Sequence, residues 1–186
     1  MLKITVPPWD EDWDPVENRF LPGNPKETVL TLEHSLVSIS KWESKYHKPY
    51  LSEEPKTDEE VLYYIQCMTI SNPNKTISEE TYRHLSYANL QAIEEYIKDP
   101  MTATTIHRRG PVGARKQIIT SELIYYWMTA MQIPFECQRW HLNRLLMLIE
   151  VAGIKNSPPN KMSRKDMAMQ NRSLNASRRA AMRSRG

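Results

Sequence analysis

Five residues, Asn156-Ser157-Pro158-Pro159-Asn160, set the strongest limit on how this chain can fold. Proline lacks a backbone donor and pushes its predecessor out of the helical region, so two in succession among Asn and Ser make a break that no regular helix crosses. Charge divides at the same place. Residues 155 to 186 hold nine Lys or Arg against one acid, Asp166, a segment charge of +8; the formal total of +3 leaves −5 on residues 1 to 154. The basic segment has no aromatic residue and few large aliphatics, too little apolar surface for a core of its own. The expected organisation is a mainly helical (α+β) acidic domain over 1–154, with an extended, Pro-rich lead-in over 1–27, followed by a basic arm over 155–186. A length of 186 residues fits one domain with an appendage.

The body can bury a core, since 40% of the chain is apolar and 25% charged. Average usage would put roughly 13 Gly in a chain of this length. There are 5 Gly and 13 Pro, which argues against a glycine cradle for a nucleotide. Apolar runs are short, five residues from Leu145 to Ile149 for example, against the ~20 that a membrane span requires. Met1 to Pro8 leads into an acidic stretch instead of an apolar signal core, so a cytosolic protein with no membrane partner is expected. Cys67 and Cys137 form no disulfide framework and read as buried thiols.

Periodicity places the elements. Leu2 to Val6 alternates, and Thr28 to Leu32 is β-branched and apolar enough to pair with it. Ser35 reads as the N-cap of a helix carrying Leu36, Val37, Ile39, Trp42 and Tyr46, stopped before Pro49. Thr57-Asp58-Glu59-Glu60 is a capping box, opening a helix with Val61, Leu62, Ile65 and Met68 on one face. Thr76 or Ser78 is expected to cap a short helix through Leu85. Ser86 opens another, with Leu90, Ile93 and Ile97 on one face and Pro100 beyond its end. Thr120 or Ser121 begins the densest apolar stretch, which reads as a central antiparallel helical hairpin: one helix up to Pro134, a second from Phe135 to Ala152 that is apolar on most sides, and Gly153 as its C′ residue. Ser163 with Asp166 resembles a capping-box variant for a helix within the arm.

Few residues suggest chemistry. Cys137 and His141, four apart on the expected second helix, share a face, as a metal pair or a Cys/His dyad requires. Zinc asks for three or four ligands, and His34, His47, His84 and His107 show no complementary pairing, so a buried thiol beside a hydrogen-bonded histidine is expected, with no metal, cofactor or catalytic site. Arg108 to Lys116 has the glycine and cation content of a phosphate loop without its residue order, and Pro111 removes a donor, so it reads as a basic surface loop. Trp127, Trp140, Tyr125 and Tyr126 read as core and rim of the hairpin. The arm is the strongest candidate for contact with a partner. Its candidate residues are Arg164, Lys165, Arg172, Arg178, Arg179 and Arg183, suited to carboxylate or phosphate. The Met and Leu between them favour a helix folding on a protein, and nucleic acid is the less favoured partner.

Several blocks resemble small proteins encoded in the tail-morphogenesis region of long-tailed bacteriophages: Leu32 to Glu43, Pro100 to Thr105, Ile118 to Trp127, Trp140 to Leu146, and the basic C-terminal stretches Ile154 to Pro159, Lys161 to Ser163 and Asn171 to Asn175. They cover most of residues 28 to 186, whereas residues 1 to 27 look variable. The resemblance implies a tail assembly chaperone: a non-enzymatic protein of the host cytoplasm that binds the tape-measure protein, keeps it soluble and helps tail-tube subunits polymerise around it, with the tail-tube protein and self-association as further contacts. A virion structural component, such as a head–tail or tail accessory protein, and a nucleic-acid-binding phage protein acting through the basic arm are the alternatives.

Overall fold

The computed structural model describes residues 1–15, 18–70, 77–106, 118–156 and 164–182, without the side chains of Asp12, Arg164, Lys165, Asp166 and Ala181. The chain falls into two compact units, Met1–Ala152 and Gly153–Gly186, taken separately below. Its described part is mainly helical, with small antiparallel sheets, which places it in the α+β class.

The first unit opens with β1 (Leu2–Val6), which pairs antiparallel with β4 (Thr28–Leu32) in the register Leu2 to Leu32 through Val6 to Thr28. Alternation explains the pairing: Ile4, Val6, Leu30 and Leu32 are buried while Lys3, Thr5 and Val29 face outward. The Pro-rich lead-in between them, read as merely extended, contains a second hairpin of β2 (Asp12–Asp14) and β3 (Arg19–Leu21), with a bridge between Trp9 and Asn24. Gly23 is obligatory there, because a Cβ would lie 2.7 Å from the carbonyl carbon of Asp10 and 2.8 Å from the carbonyl oxygen of Trp9.

The helix starts follow local chemistry. Ser35 caps α1 (Leu36–Tyr46), its hydroxyl accepting the N–H of Ser38 at 3.3 Å, and His47 ends the helix at a φ of 54°. Both halves of the capping box form at α2 (Asp58–Met68): Thr57 Oγ1 accepts the N–H of Glu60, and Glu60 Oε2 accepts the N–H of Thr57. Ile65 and Met68 are buried as expected, but Val61 is exposed and its place is taken by Tyr64 and Cys67. The short α3 (Glu80–Arg83) starts without a side-chain cap, Ser78 bonding the hydroxyl of Thr81 instead; Thr76 lies outside the described residues. Ser86 caps α4 (Tyr87–Lys98) and Thr120 caps α5 (Ser121–Ala130).

The second helix of the expected hairpin is shorter at its start and longer at its end. Phe135–Arg139 is a 3-10 helix, Trp140 is extended, and α6 runs from Leu142 to Asn156. Tertiary hydrogen bonds cause the interruption: His141 forms an antiparallel bridge with Ser35, and the N–H of Leu142 goes to the carbonyl of His34 at 2.7 Å. Trp140 is left exposed, and Leu142, Leu145 and Ile149 give α6 one buried face instead of an apolar surface all round. Gly153 lies within the helix and is not its C′ residue; an internal glycine costs only about 1 kcal/mol. The core gathers on α1, against which α2, α5 and the 3-10 turn all pack. Its Leu36, Ile39 and Trp42 are buried, and the Trp42 indole N–H donates to the Glu60 carbonyl at 2.9 Å.

In the second unit, α7 spans Arg164–Met182, 19 residues of helix. Every described side chain in it is exposed. Ser163, its expected cap, lies outside the described residues.

Candidate functional site

Buried polar side chains meet where β4 turns into α1. The His34 ring is packed edge-on to His141 at 5.1 Å between centroids, and its Nδ1 lies 2.5 Å from the Tyr64 hydroxyl. The ring of Tyr64 stacks on Tyr50 at 4.0 Å. Burial, and secondarily the neighbouring His141, lowers the pKa of His34 to about 3. Burial also pushes the hydroxyls of Tyr64 and Tyr50 upward. His141 is satisfied on both sides. Its Nε2 lies 2.9 Å from the carbonyl of Tyr96 and its Nδ1 accepts the N–H of Asn143 at 3.3 Å, so the proton sits on Nε2. This is a hydrogen-bonded polar plug inside the core, tying the β4–α1 junction to the end of α4 and the start of α6.

The plug changes the reading of Cys137 and His141. Both are buried, and His141 is hydrogen-bonded as expected, but Cys137 belongs to the 3-10 turn and His141 follows the break, so they share no helical face. His141 packs instead against His34, which sequence spacing could not pair with it across 107 residues of chain. Among the described residues no three His, Cys, Asp or Glu side chains come together as a metal site, and no helix is long and apolar enough to cross a membrane.

The body also carries an apolar cleft of about 400 Å³ between α2 and α4, lined by Val61, Ile65, Leu90, Ile93 and Ile97. At its rim the Lys56 ammonium lies 4.7 Å from the ring centre of Tyr50, and partial burial lowers its pKa. Nothing in the hydrophobic pattern singled out this cleft. The periodicity of α2 and α4 predicts which residues turn inward, not that Val61 and Leu90 stay partly open to solvent.

The arm holds most of the residues expected to bind. Arg164 and Lys165 begin α7, Arg172, Arg178 and Arg179 stand exposed along it, and Arg183 lies outside the described residues. At 100° per residue the helix gathers Arg172, Arg178 and Arg179 into an arc of roughly 120°. The other side is mixed, carrying Met169, Leu174 and Ala180 together with Gln170, Ser173 and Ser177. The sequence reading found the cations and the scattered apolar residues but not that these three arginines share one side of the helix. The basic stretch Arg108 to Lys116 lies outside the described residues.

No family model, curated protein or solved structure matches this chain. The functional reading therefore stands on the residues and on the resemblance of their blocks.

Proposed function

We propose that the protein is a non-enzymatic tail assembly chaperone of a long-tailed bacteriophage, which binds the tape-measure protein in the host cytoplasm while tail-tube subunits assemble around it. The observation that carries the reading is the arm: a 19-residue helix whose described side chains are all exposed and whose described arginines share one side. A helix of this length is marginal in water by itself, so contact with a client would stabilise it. A tape-measure chain offers long helical surface for such a contact. The blocks that resemble tail-morphogenesis proteins, from Leu32 to Glu43 through Asn171 to Asn175, support the same reading.

Two measurements test it. Deleting the gene is expected to abolish tails or leave them irregular, and co-expression is expected to keep the tape-measure protein soluble only while residues 155 to 186 are present. Tails of normal number and length after deletion would refute the proposal. Mass spectrometry of purified particles separates the nearest rival: a chaperone is absent from them, and a structural component is present in fixed copies.

A further inference from the structure

The apolar cleft between α2 and α4 has a floor and two open lips. Tyr64, Ile65 and Ile93 form the floor and are buried, whereas Val61 and Leu90 at the lips keep 40% and 37% of their surface in water. Its volume of about 400 Å³ is that of roughly thirteen waters in the liquid, room for a large side chain. Water there finds few partners, because the Tyr64 hydroxyl already lies 2.5 Å from His34 Nδ1 and the walls are aliphatic. An apolar group that displaces this water gains by doing so.

The charged groups around the cleft decide what accompanies that apolar group. Glu94, on the α4 side, is held by Lys98 one turn further on. Glu60 is held by Lys48 at 2.8 Å and by the N–H of Thr57 at 3.0 Å. Lys56, the one cation among the lining residues, is placed differently. Its ammonium lies 4.7 Å and 5.8 Å from the ring centres of Tyr50 and Trp42, and no described carboxylate makes an ion pair with it. Glu54 and Glu60 attract it from further off, but burial outweighs them and lowers its pKa. Lys56 has therefore given up water without gaining a counter-ion, and a carboxylate brought by an occupant supplies one.

The shape of the lip favours a protein segment over a free acid. Tyr87, 82% exposed and three residues before Leu90, continues the α4 lip beyond the cavity. Apolar surface thus follows α4 for about 15 Å from Tyr87 to Ile97, longer than one small molecule covers. Open lips also let a backbone stay outside while a side chain enters.

We propose that the α2–α4 cleft is a docking site for a protein segment that inserts one large apolar side chain between Val61 and Leu90 and brings a nearby carboxylate to Lys56. The site belongs to the folded body, so it is separate from the arm and does not depend on the chaperone reading.

The test titrates the full-length, ¹⁵N-labelled chain with peptides of about four helical turns on an Ala/Gln background. Each carries one Phe, Leu, Met or Trp anchor and a Glu one turn away. At least one is expected to shift the amides of Val61, Leu90 and Ile93 saturably. Changing its anchor to Ala, or its Glu to Lys, should weaken binding about tenfold. Leu90→Glu should weaken it similarly, and Lys56→Glu should reverse the preference between the Glu and Lys peptides. Lys26→Glu, the same charge change in the lead-in, should alter binding less than about twofold. If Leu90→Glu fails to fold by circular dichroism, Lys56→Glu and the peptide variants still decide. The proposal is overturned if no peptide gives saturable shifts up to about 1 mM, if the shifts fall away from the cleft, or if Glu and Lys peptides bind equally. Decanoate binding in the cleft where no peptide binds would likewise overturn it, in favour of a free acid.

Discussion

The carboxylate of Glu43 receives the backbone N–H of Ser121, 78 residues further along the chain, at 2.8 Å through its Oε2. Its Oε1 takes the N–H of Tyr50 at 2.8 Å. One buried side chain thus satisfies the first turn of α5 and the segment after α1, and holds both to the central helix. Glu43→Ala leaves two donors without an acceptor, and the expected cost is about 2–4 kcal/mol in urea unfolding. Glu43→Gln keeps one oxygen but turns an NH₂ toward the other donor, and should cost about half as much. If both variants unfold with surface-like losses below about 0.5 kcal/mol, Glu43 does not tie these segments together.

His34 should make stability depend on pH above the range where carboxylates titrate. Its pKa is about 3 in the fold against an ordinary 6.5. Between those values the unfolded chain holds more protons than the folded one, so stability rises with pH there and falls as acid is added. The loss is about 2 kcal/mol from pH 6.5 to 5, and at most about 5 kcal/mol by pH 3. His34→Gln should be less stable at pH 7 and show a flatter profile between pH 7 and 5. A wild-type urea midpoint that stays constant over that interval would contradict the buried neutral imidazole.

Asn143 closes the end of α4 from the start of α6. Its amide donates to the carbonyls of Ile97 at 2.9 Å and Asp99 at 2.7 Å. Asn143→Ala is expected to cost about 1–2 kcal/mol. Asn143→Asp should cost more at pH 7, since it aims a carboxylate at two carbonyl oxygens, and the difference should shrink below about pH 4 as the acid protonates. Thermal unfolding of both variants at pH 7 and pH 3.5 checks the sign. An aspartate no worse than alanine would mean that the amide is not donating.

Gly23→Ala places a methyl group among backbone atoms of Trp9 and Asp10 that cannot rotate away. The expected cost is about 1–3 kcal/mol, concentrated in the lead-in. Trp9 stacks on His84 at 4.5 Å, so tryptophan fluorescence and the amide exchange of Asn24, which donates to the Trp9 carbonyl at 2.8 Å, should report local opening. Unchanged exchange at Asn24 would show that the turn has room for a side chain.

Much of the fold was readable because its signals act over a few residues. Ser35, Thr57, Ser86 and Thr120 cap helices by reaching the third residue on, and the alternation of Leu2 to Val6 needs only a partner of the same kind in Thr28 to Leu32. The hairpin around Trp13 and Phe20 escaped notice because two three-residue strands carry almost no periodicity. The break before α6 escaped because nothing near Trp140 opposes a helix. Of the binding residues, the cations of the arm were visible one by one. That Arg172, Arg178 and Arg179 share one side follows once residues 164 to 182 are known to be helical throughout.

Local chemistry was sufficient for the class of fold, the helix starts, the sheet pairing and the contrast between a −5 body and a +8 basic segment, because each depends on neighbours in the chain or on simple counting. Packing alone assigned the pairing of His34 with His141, the reach of Glu43 to Ser121 and the departure of His141 from the helix. Those are bonds between groups dozens of residues apart. Each is favourable only when other elements have already excluded water from the groups concerned, and no periodicity along the chain encodes that condition.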